Sequence, residues 1–304
     1  MHTDLTTRVG SVVLRNPVMT ASGTAGHGAE LAGYTDLSSL GAVVIKSLSA
    51  EPWAGNPAPR LHETTGGMLN SVGLQNPGVE TWLEHELPEL RATGATVVAS
   101  IWGFTVEAYE KAATMLAGAD GLAAVEVNVS CPNVEDRRRM FAHSPTATAE
   151  AISAASRAGL PRWAKLSPNV TDLVEIATAA VGAGADALTL INTVMGMVID
   201  PATRRPRLGA GGGGLSGAAI RPVAVRAVYE CRAALPDAPI VGVGGISRGA
   251  HAVELLMAGA NAVQVGTATF ADPRAPARVL AELEKWCRRN GVARISDLTG
   301  AAHA

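Results

Sequence analysis

Eight short apolar runs recur along the chain: Val18–Ala21, Ala42–Ile45, Thr96–Ile101, Ala123–Val129, Trp163–Leu166, Ala187–Ile191, Ile240–Val243 and Ala262–Val265. They are nearly continuous in hydrophobic residues rather than alternating, the pattern of parallel strands covered on both faces. From the first run to the last is about 245 residues, or roughly 35 per step, the length of a strand plus a crossover helix. Helical patterns fill the intervals at Ala29–Leu40, Thr81–Ala92, Thr105–Leu116, Ala147–Ala158, Leu173–Ala183, Pro222–Leu235, Ala250–Met257 and Ala275–Asn290, each stopping near Gly, Pro or Asn. Eight such units close most economically into a (β/α)8 TIM barrel of the α/β class, with an open doubly wound sheet as the alternative. Ahead of them, Leu5–Val9 and Val12–Leu14 around Gly10-Ser11 predict an N-terminal β-hairpin suited to plugging one end of the barrel. No linker divides the chain, so residues 1–304 read as a single domain.

In a barrel of this kind chemistry collects just past the C-terminal ends of the strands. The residues there are polar: Ser22-Gly23, Lys46-Ser47, Asn128 to Asn133, Ser167-Pro168-Asn169 and Asn192-Thr193. A lysine in or beside an apolar strand either snorkels to water or meets an anion inside. Two of them, Lys46 and Lys165, favour an anionic ligand. Gly244-Gly245 after the seventh run and Gly266-Thr267 after the eighth stand where many barrels hold a phosphate on backbone N–H groups. Each segment alone serves equally as a tight turn; the pair together suggests a phosphorylated cofactor.

Cys131 lies in Asn128-Val129-Ser130-Cys131-Pro132-Asn133, and the local residues leave it between an inert core thiol and a reactive one. Cys231 and Cys287 fall in predicted helices and read as inert. Asn70, Gln75 and Asn76 sit in a proline- and glycine-rich loop that is either plain surface or a cover over a pocket. Gly209 to Gly214 nominally satisfies G-x-G-x-x-G, but no strand precedes it, so it reads as a flexible connection and NAD has no evident seat.

Composition narrows the classes further. Hydrophobic residues at 47% and charged ones at 17% exclude disorder, and no apolar run reaches the roughly 18 to 20 residues of a bilayer span. Twenty-five Lys plus Arg against 27 Asp plus Glu give no general field for nucleic acid or an anionic membrane, so a small-molecule partner is expected. Three widely spaced cysteines form neither a disulfide framework nor a zinc or iron–sulfur ligand set. The polar start lacks a secretory layout, and a cytoplasmic location is expected.

Asn128 to Asn133, Lys165-Leu166-Ser167-Pro168-Asn169-Val170-Thr171-Asp172, Asn192-Thr193 and Gly214-Leu215-Ser216-Gly217, with Asn70 to Pro77, Gly244-Gly245 and Gly266-Thr267 in the same order, resemble the class 1B dihydroorotate dehydrogenases over nearly the whole chain. The resemblance implies an FMN barrel of pyrimidine biosynthesis that oxidises dihydroorotate to orotate. It assigns Cys131 as the base removing a C5 proton while hydride leaves C6 for the flavin. Lys46, Asn70, Ser71, Val72, Gly73, Leu74, Asn128, Asn192 and Thr193 become substrate-binding, with Lys46 on the carboxylate. Ser22, Lys46, Ser47, Ser100, Asn128, Lys165, Ile191, Gly217, Gly244, Gly245, Gly266 and Thr267 become cofactor-binding, with Lys165 beside the flavin N1 and O2, where its charge raises the reduction potential.

The resemblance further implies a homodimer within a heterotetramer, whose second subunit carries FAD and a [2Fe–2S] cluster and passes electrons to NAD. This chain's own lack of a dinucleotide motif and of cluster cysteines is consistent with that division. Three departures stand out. Ser100 occupies a place where relatives often have an asparagine touching FMN, Trp102 is bulkier than expected, and Arg137-Arg138-Arg139 replaces frequent glycines. A related FMN-dependent dihydropyrimidine dehydrogenase and a non-redox phosphate-binding TIM barrel are the alternatives.

Overall fold

The computed structural model describes residues 3–130 and 140–303. Cys131, Pro132, Asn133 and Arg137 to Arg139 lie outside the described residues. The eight apolar runs form the strands β1 (Val18–Thr20), β2 (Val43–Val44), β3 (Val97–Ile101), β4 (Leu122–Asn128), β5 (Arg162–Leu166), β6 (Ala187–Leu190), β7 (Ile240–Val243) and β8 (Ala262–Val265). Every neighbouring pair is parallel, in the order β1-β8-β7-β6-β5-β4-β3-β2. The Met19–Ala42 bridge, with Gly41 N donating to Val18 O at 2.8 Å, joins β2 back to β1 and closes the (β/α)8 barrel.

Side-chain alternation sorts each strand into an outer face against the helices and an inner face filled in layers. At the N-terminal end the inner layer is apolar, with Val44, Val98, Ala124, Trp163, Ala187 and Ala262 in one cluster with Val9, Val12 and Leu14. Those last three belong to the hairpin Thr7–Val9 and Val12–Leu14, which seals the bottom of the barrel. Two residues further along the same inner faces the layer turns polar at Glu126, Lys165, Thr189 and Gln264, all buried. Another two residues on, Asn128, Ile191 and Gly266 face an open cleft.

The outer helices are amphipathic at helical spacing. Tyr109, Ala112, Ala113 and Leu116 are the buried residues of Val106–Leu116, and Thr105 caps that helix by accepting from Ala108 N. The predicted helix Ala29–Leu40 is a correction: only two 3-10 turns form, Glu30–Gly33 and Leu37–Ser39. Local polar side chains compete for the backbone there, since the Glu30 carboxylate accepts from His27 N and Gly28 N and Asp36 accepts from Ser38 N. Thr81–Ala92 is helical but widens to a π turn at Trp82–Glu86, just ahead of Pro88, which has no N–H to continue the ladder.

A four-stranded antiparallel sheet stands on the C-terminal rim, ordered Val194–Gly196, Gly213–Ser216, Gly67–Asn70, Leu61–Thr64. It draws part of an inner strand from the glycine run read as a flexible connection, so that reading is corrected at Gly213 and Gly214. A β-carbon on Gly214 would lie 2.0 Å from Thr193 Oγ1, so only glycine lets this strand approach so closely. No helix among the described residues is long and apolar enough to cross a membrane.

Candidate active site

The cleft at the C-terminal ends of the strands has a volume of about 570 Å³, within the roughly 300–1,000 Å³ of small-ligand sites. Its walls collect the polar residues that follow the strands, because a strand end frees both side chains and backbone from the barrel ladder. One continuous hydrogen-bond chain crosses it. Ser22 Oγ meets Ser47 Oγ at 3.2 Å, and Asn128 Nδ2 donates to Ser47 Oγ at 3.4 Å. Asn192 Nδ2 then donates to Asn128 Oδ1 at 3.0 Å, and Thr193 N donates to Asn192 Oδ1 at 2.9 Å. Asn169, which the sequence reading left without a role, donates to both Ser167 Oγ and Thr193 O and accepts from Met195 N, tying this wall to the rim sheet.

Of the residues singled out for cofactor or substrate, those within the described chain all line this one cleft except Ser100. Ser100 is fully buried behind Ser47, its Oγ 2.8 Å from Ser47 Oγ, so its asparagine-to-serine departure acts through Ser47 rather than on the wall. Gln75 and Asn76 also turn away. Gln75 Oε1 accepts from Arg60 Nη1, while Asn76 is buried and holds the loop by accepting from Ser49 N and Gly78 N and donating to Leu74 O. The neighbouring Asn70–Leu74 segment does face the cleft. Trp53 Nε1 donates to Gly73 O at 3.0 Å, and Trp53 stands edge-on to Trp102 and Phe104, with centroids 6.0 and 5.2 Å away. The bulk of Trp102 thus braces this loop from beneath.

A glycine-built turn also lines the cleft, at the end of β7 and beside the strand that leads to Asn192. Gly244 and Gly245 have φ of +138° and +71°, and a β-carbon on Gly245 would come within 2.5 Å of Arg221 Cβ. Thr267 Oγ1 donates to Ser216 Oγ at 2.7 Å, linking the end of β8 to the rim sheet beside Gly217.

The cleft's charged lining among the described residues is Lys46 and Lys165, both cationic. Burial, and then the charge of Lys46, pushes the His27 imidazole down to about 4. Lys165 Nζ donates to Glu126 Oε1 at 3.0 Å, and Glu126 Oε2 accepts from Gln264 Nε2 at 2.7 Å. The sequence reading passed over Glu126 and Gln264. The signal was present, since each is a polar residue inside an apolar strand, as Lys165 is. No group of three or more metal-ligating side chains occurs among the described residues. Burial pushes the Cys231 thiol up to about 12 and raises that of Cys287, in keeping with inert core residues.

A (β/α)8 barrel with a cationic cleft lined by amides and a glycine turn defines a class of barrels that bind a small anionic ligand at the C-terminal strand ends. The model of the family described as dihydroorotate dehydrogenase matches residues 4–286. The catalytic subunit of dihydroorotate dehydrogenase B (NAD(+)) from Desulforudis audaxviator is 50% identical over 296 residues, covering 97% of this chain and 96% of that protein. Its counterpart from Geobacter sp. (strain M21) is 48% identical over 299 residues, covering 98% of each. The chain belongs to the dihydroorotate dehydrogenase family.

Proposed function

We propose that the chain oxidises dihydroorotate to orotate with FMN held in the cleft, as the first redox step of a larger assembly. The observation that carries this reading is one cleft lined both by the Asn128–Asn192–Thr193 chain with Lys46 and by the Gly244–Gly245 turn. One wall suits a ring of ureide and carbonyl groups bearing a carboxylate. The other suits a phosphate.

The residues present fit FMN in kind. The Gly244–Gly245 turn is a cradle that β-carbons would fill, with Gly266 and Thr267 beside it for the phosphate. Lys165 offers a donor for a carbonyl or ring nitrogen at the barrel mouth. Ser22, Ser47 and Gly217 would flank the ring system. When bound, FMN supplies the two-electron acceptor for the substrate's hydride.

The chain's own residues then bind and orient. Lys46 neutralises the substrate carboxylate. Asn70, Asn128, Asn192 and Thr193 present donors and acceptors to the ring, and Ser71 to Leu74 close over it. Cys131 takes the C5 proton. That assignment rests on the sequence resemblance, with Cys131 three residues beyond Asn128, the last residue of β4. With no dinucleotide motif of its own, the chain hands electrons to a separate FAD/[2Fe–2S] subunit and on to NAD, as a homodimer within a heterotetramer in the cytoplasm. The names of its relatives, catalytic subunits of an NAD(+)-linked enzyme, support that division.

Anaerobic mixing of the flavin-loaded chain with dihydroorotate tests the reading. Bleaching of the flavin with stoichiometric orotate is the expected result. Flavin that stays oxidised overturns the substrate. A colourless protein that takes up no FMN overturns the cofactor and favours a non-redox barrel.

A further inference from the structure

The middle layer of the barrel holds a charge that the proposed function does not use. Glu126 is fully buried, with one carboxylate oxygen 3.0 Å from Lys165 Nζ and the other 2.7 Å from Gln264 Nε2. These three side chains project from β4, β5 and β8 on the barrel's inner face. Lys165 reaches the cleft wall, while Glu126 and Gln264 stand behind it, away from the cleft.

We propose that Glu126 is a positioning residue for the site. Its carboxylate pins the Lys165 ammonium at the mouth of the barrel and cancels most of its field at the cofactor. The proposal rests on the reading of this cleft as an FMN site and deepens it.

A buried ammonium left without a counter-charge is costly, and the Glu126 carboxylate 3.0 Å from Lys165 Nζ offsets that cost. Next, a bare cation beside a ring that gains electrons would stabilise the reduced form strongly in a low-dielectric interior. The ion pair presents a dipole instead, whose field falls off faster, so the lysine acts chiefly as a hydrogen-bond donor. Finally, Gln264 occupies the second carboxylate oxygen and leaves the first for Lys165, which sets the direction of the ammonium. A cofactor moderated in this way gives its electrons up again, which suits a subunit that has to pass them on.

The test uses four proteins: wild type, Glu126→Gln, Lys165→Met and the double variant. The flavin midpoint potential of the loaded proteins is followed from about pH 6 to about pH 9. In Glu126→Gln the unopposed lysine raises the two-electron equilibrium constant for reduction at least tenfold at the acid end, about 30 mV. A Glu126→Gln potential that tracks wild type across the range overturns the proposal.

A cofactor-free arm separates this idea from the function it rests on. In denaturant unfolding without flavin, each single variant loses roughly a hundredfold in folding equilibrium constant and the double variant far less, because removing one partner strands the other. Additive losses overturn the ion pair. A wild-type protein that takes up no FMN sinks the proposed function, and the unfolding cycle still decides whether Glu126 holds Lys165.

Discussion

Asn192 donates from Nδ2 to Oδ1 of Asn128 over 3.0 Å, and this bond orients the Asn128 amide so that its own Nδ2 points to Ser47 Oγ. Ser130 N donates to the same Oδ1 at 3.2 Å. Asn128→Ala leaves those part-buried donors without their acceptor, at a cost of about 1 kcal/mol. Denaturant unfolding reads that loss. Dihydroorotate oxidation should fall roughly hundredfold as the neighbouring amides drift. A variant as active as wild type would remove Asn128 from the site.

Cys131→Ser should slow anaerobic flavin bleaching by roughly 10²–10⁴-fold, since a serine hydroxyl is a far weaker base than a thiolate. A free thiol ionises near about 8.5, so the wild-type rate should climb with pH through the thiol's ionisation and then level off. Stopped-flow bleaching across pH checks both. A flat wild-type profile with an unimpaired serine variant would assign the proton to another group.

Gly245→Ala should weaken flavin retention while leaving the barrel folded. At φ of +71° the new methyl would sit 2.5 Å from Arg221 Cβ, which forces the turn outward. The ratio of flavin to protein after gel filtration measures the effect. Gly33→Ala, where a β-carbon meets nothing within 4 Å, is the matched control and should keep its full complement.

Trp53→Phe removes the donor that holds Gly73 O but keeps a ring against Trp102 and Phe104. One hydrogen bond of about 1 kcal/mol corresponds to an increase of about fivefold in KM for dihydroorotate, with kcat changed little. Steady-state kinetics separate the two. A fall in kcat with KM unchanged would mean that the loop acts in the chemical step instead.

His27 gives the fold an acid-sensitive component. Its folded-state pKa is lowered to about 4, while the unfolded imidazole titrates near about 6.5. Between those values the unfolded chain binds the extra proton, so the stability contributed by the neutral ring is complete above about pH 6.5 and is lost as pH falls toward 4. Glu86, raised by burial and by Glu30, acts in the opposite sense over the lower part of that window. His27→Gln should therefore flatten the fall in Tm between about pH 6.5 and about pH 4. An unchanged slope would place the acid sensitivity elsewhere.

The barrel was legible in the sequence because its determinants are local. Eight apolar runs each carry their own burial pattern, and the polar residues following them, such as Asn128 and Asn192, mark the rim by position alone. What only the tertiary structure decided are pairings between distant residues. Asn70 meets Gly214 across 144 residues, and Glu126 meets Gln264 across 138, so no window of sequence contains both partners. The rim sheet is not legible in the sequence because glycine has poor strand propensity, and its close approach appears only when the opposite strand is in place. Ala29–Leu40 had helical periodicity, yet Glu30 and Asp36 turned their carboxylates onto the backbone. Periodicity reports which face is buried, whereas the partner of each buried polar group is settled by the closure of the barrel around it.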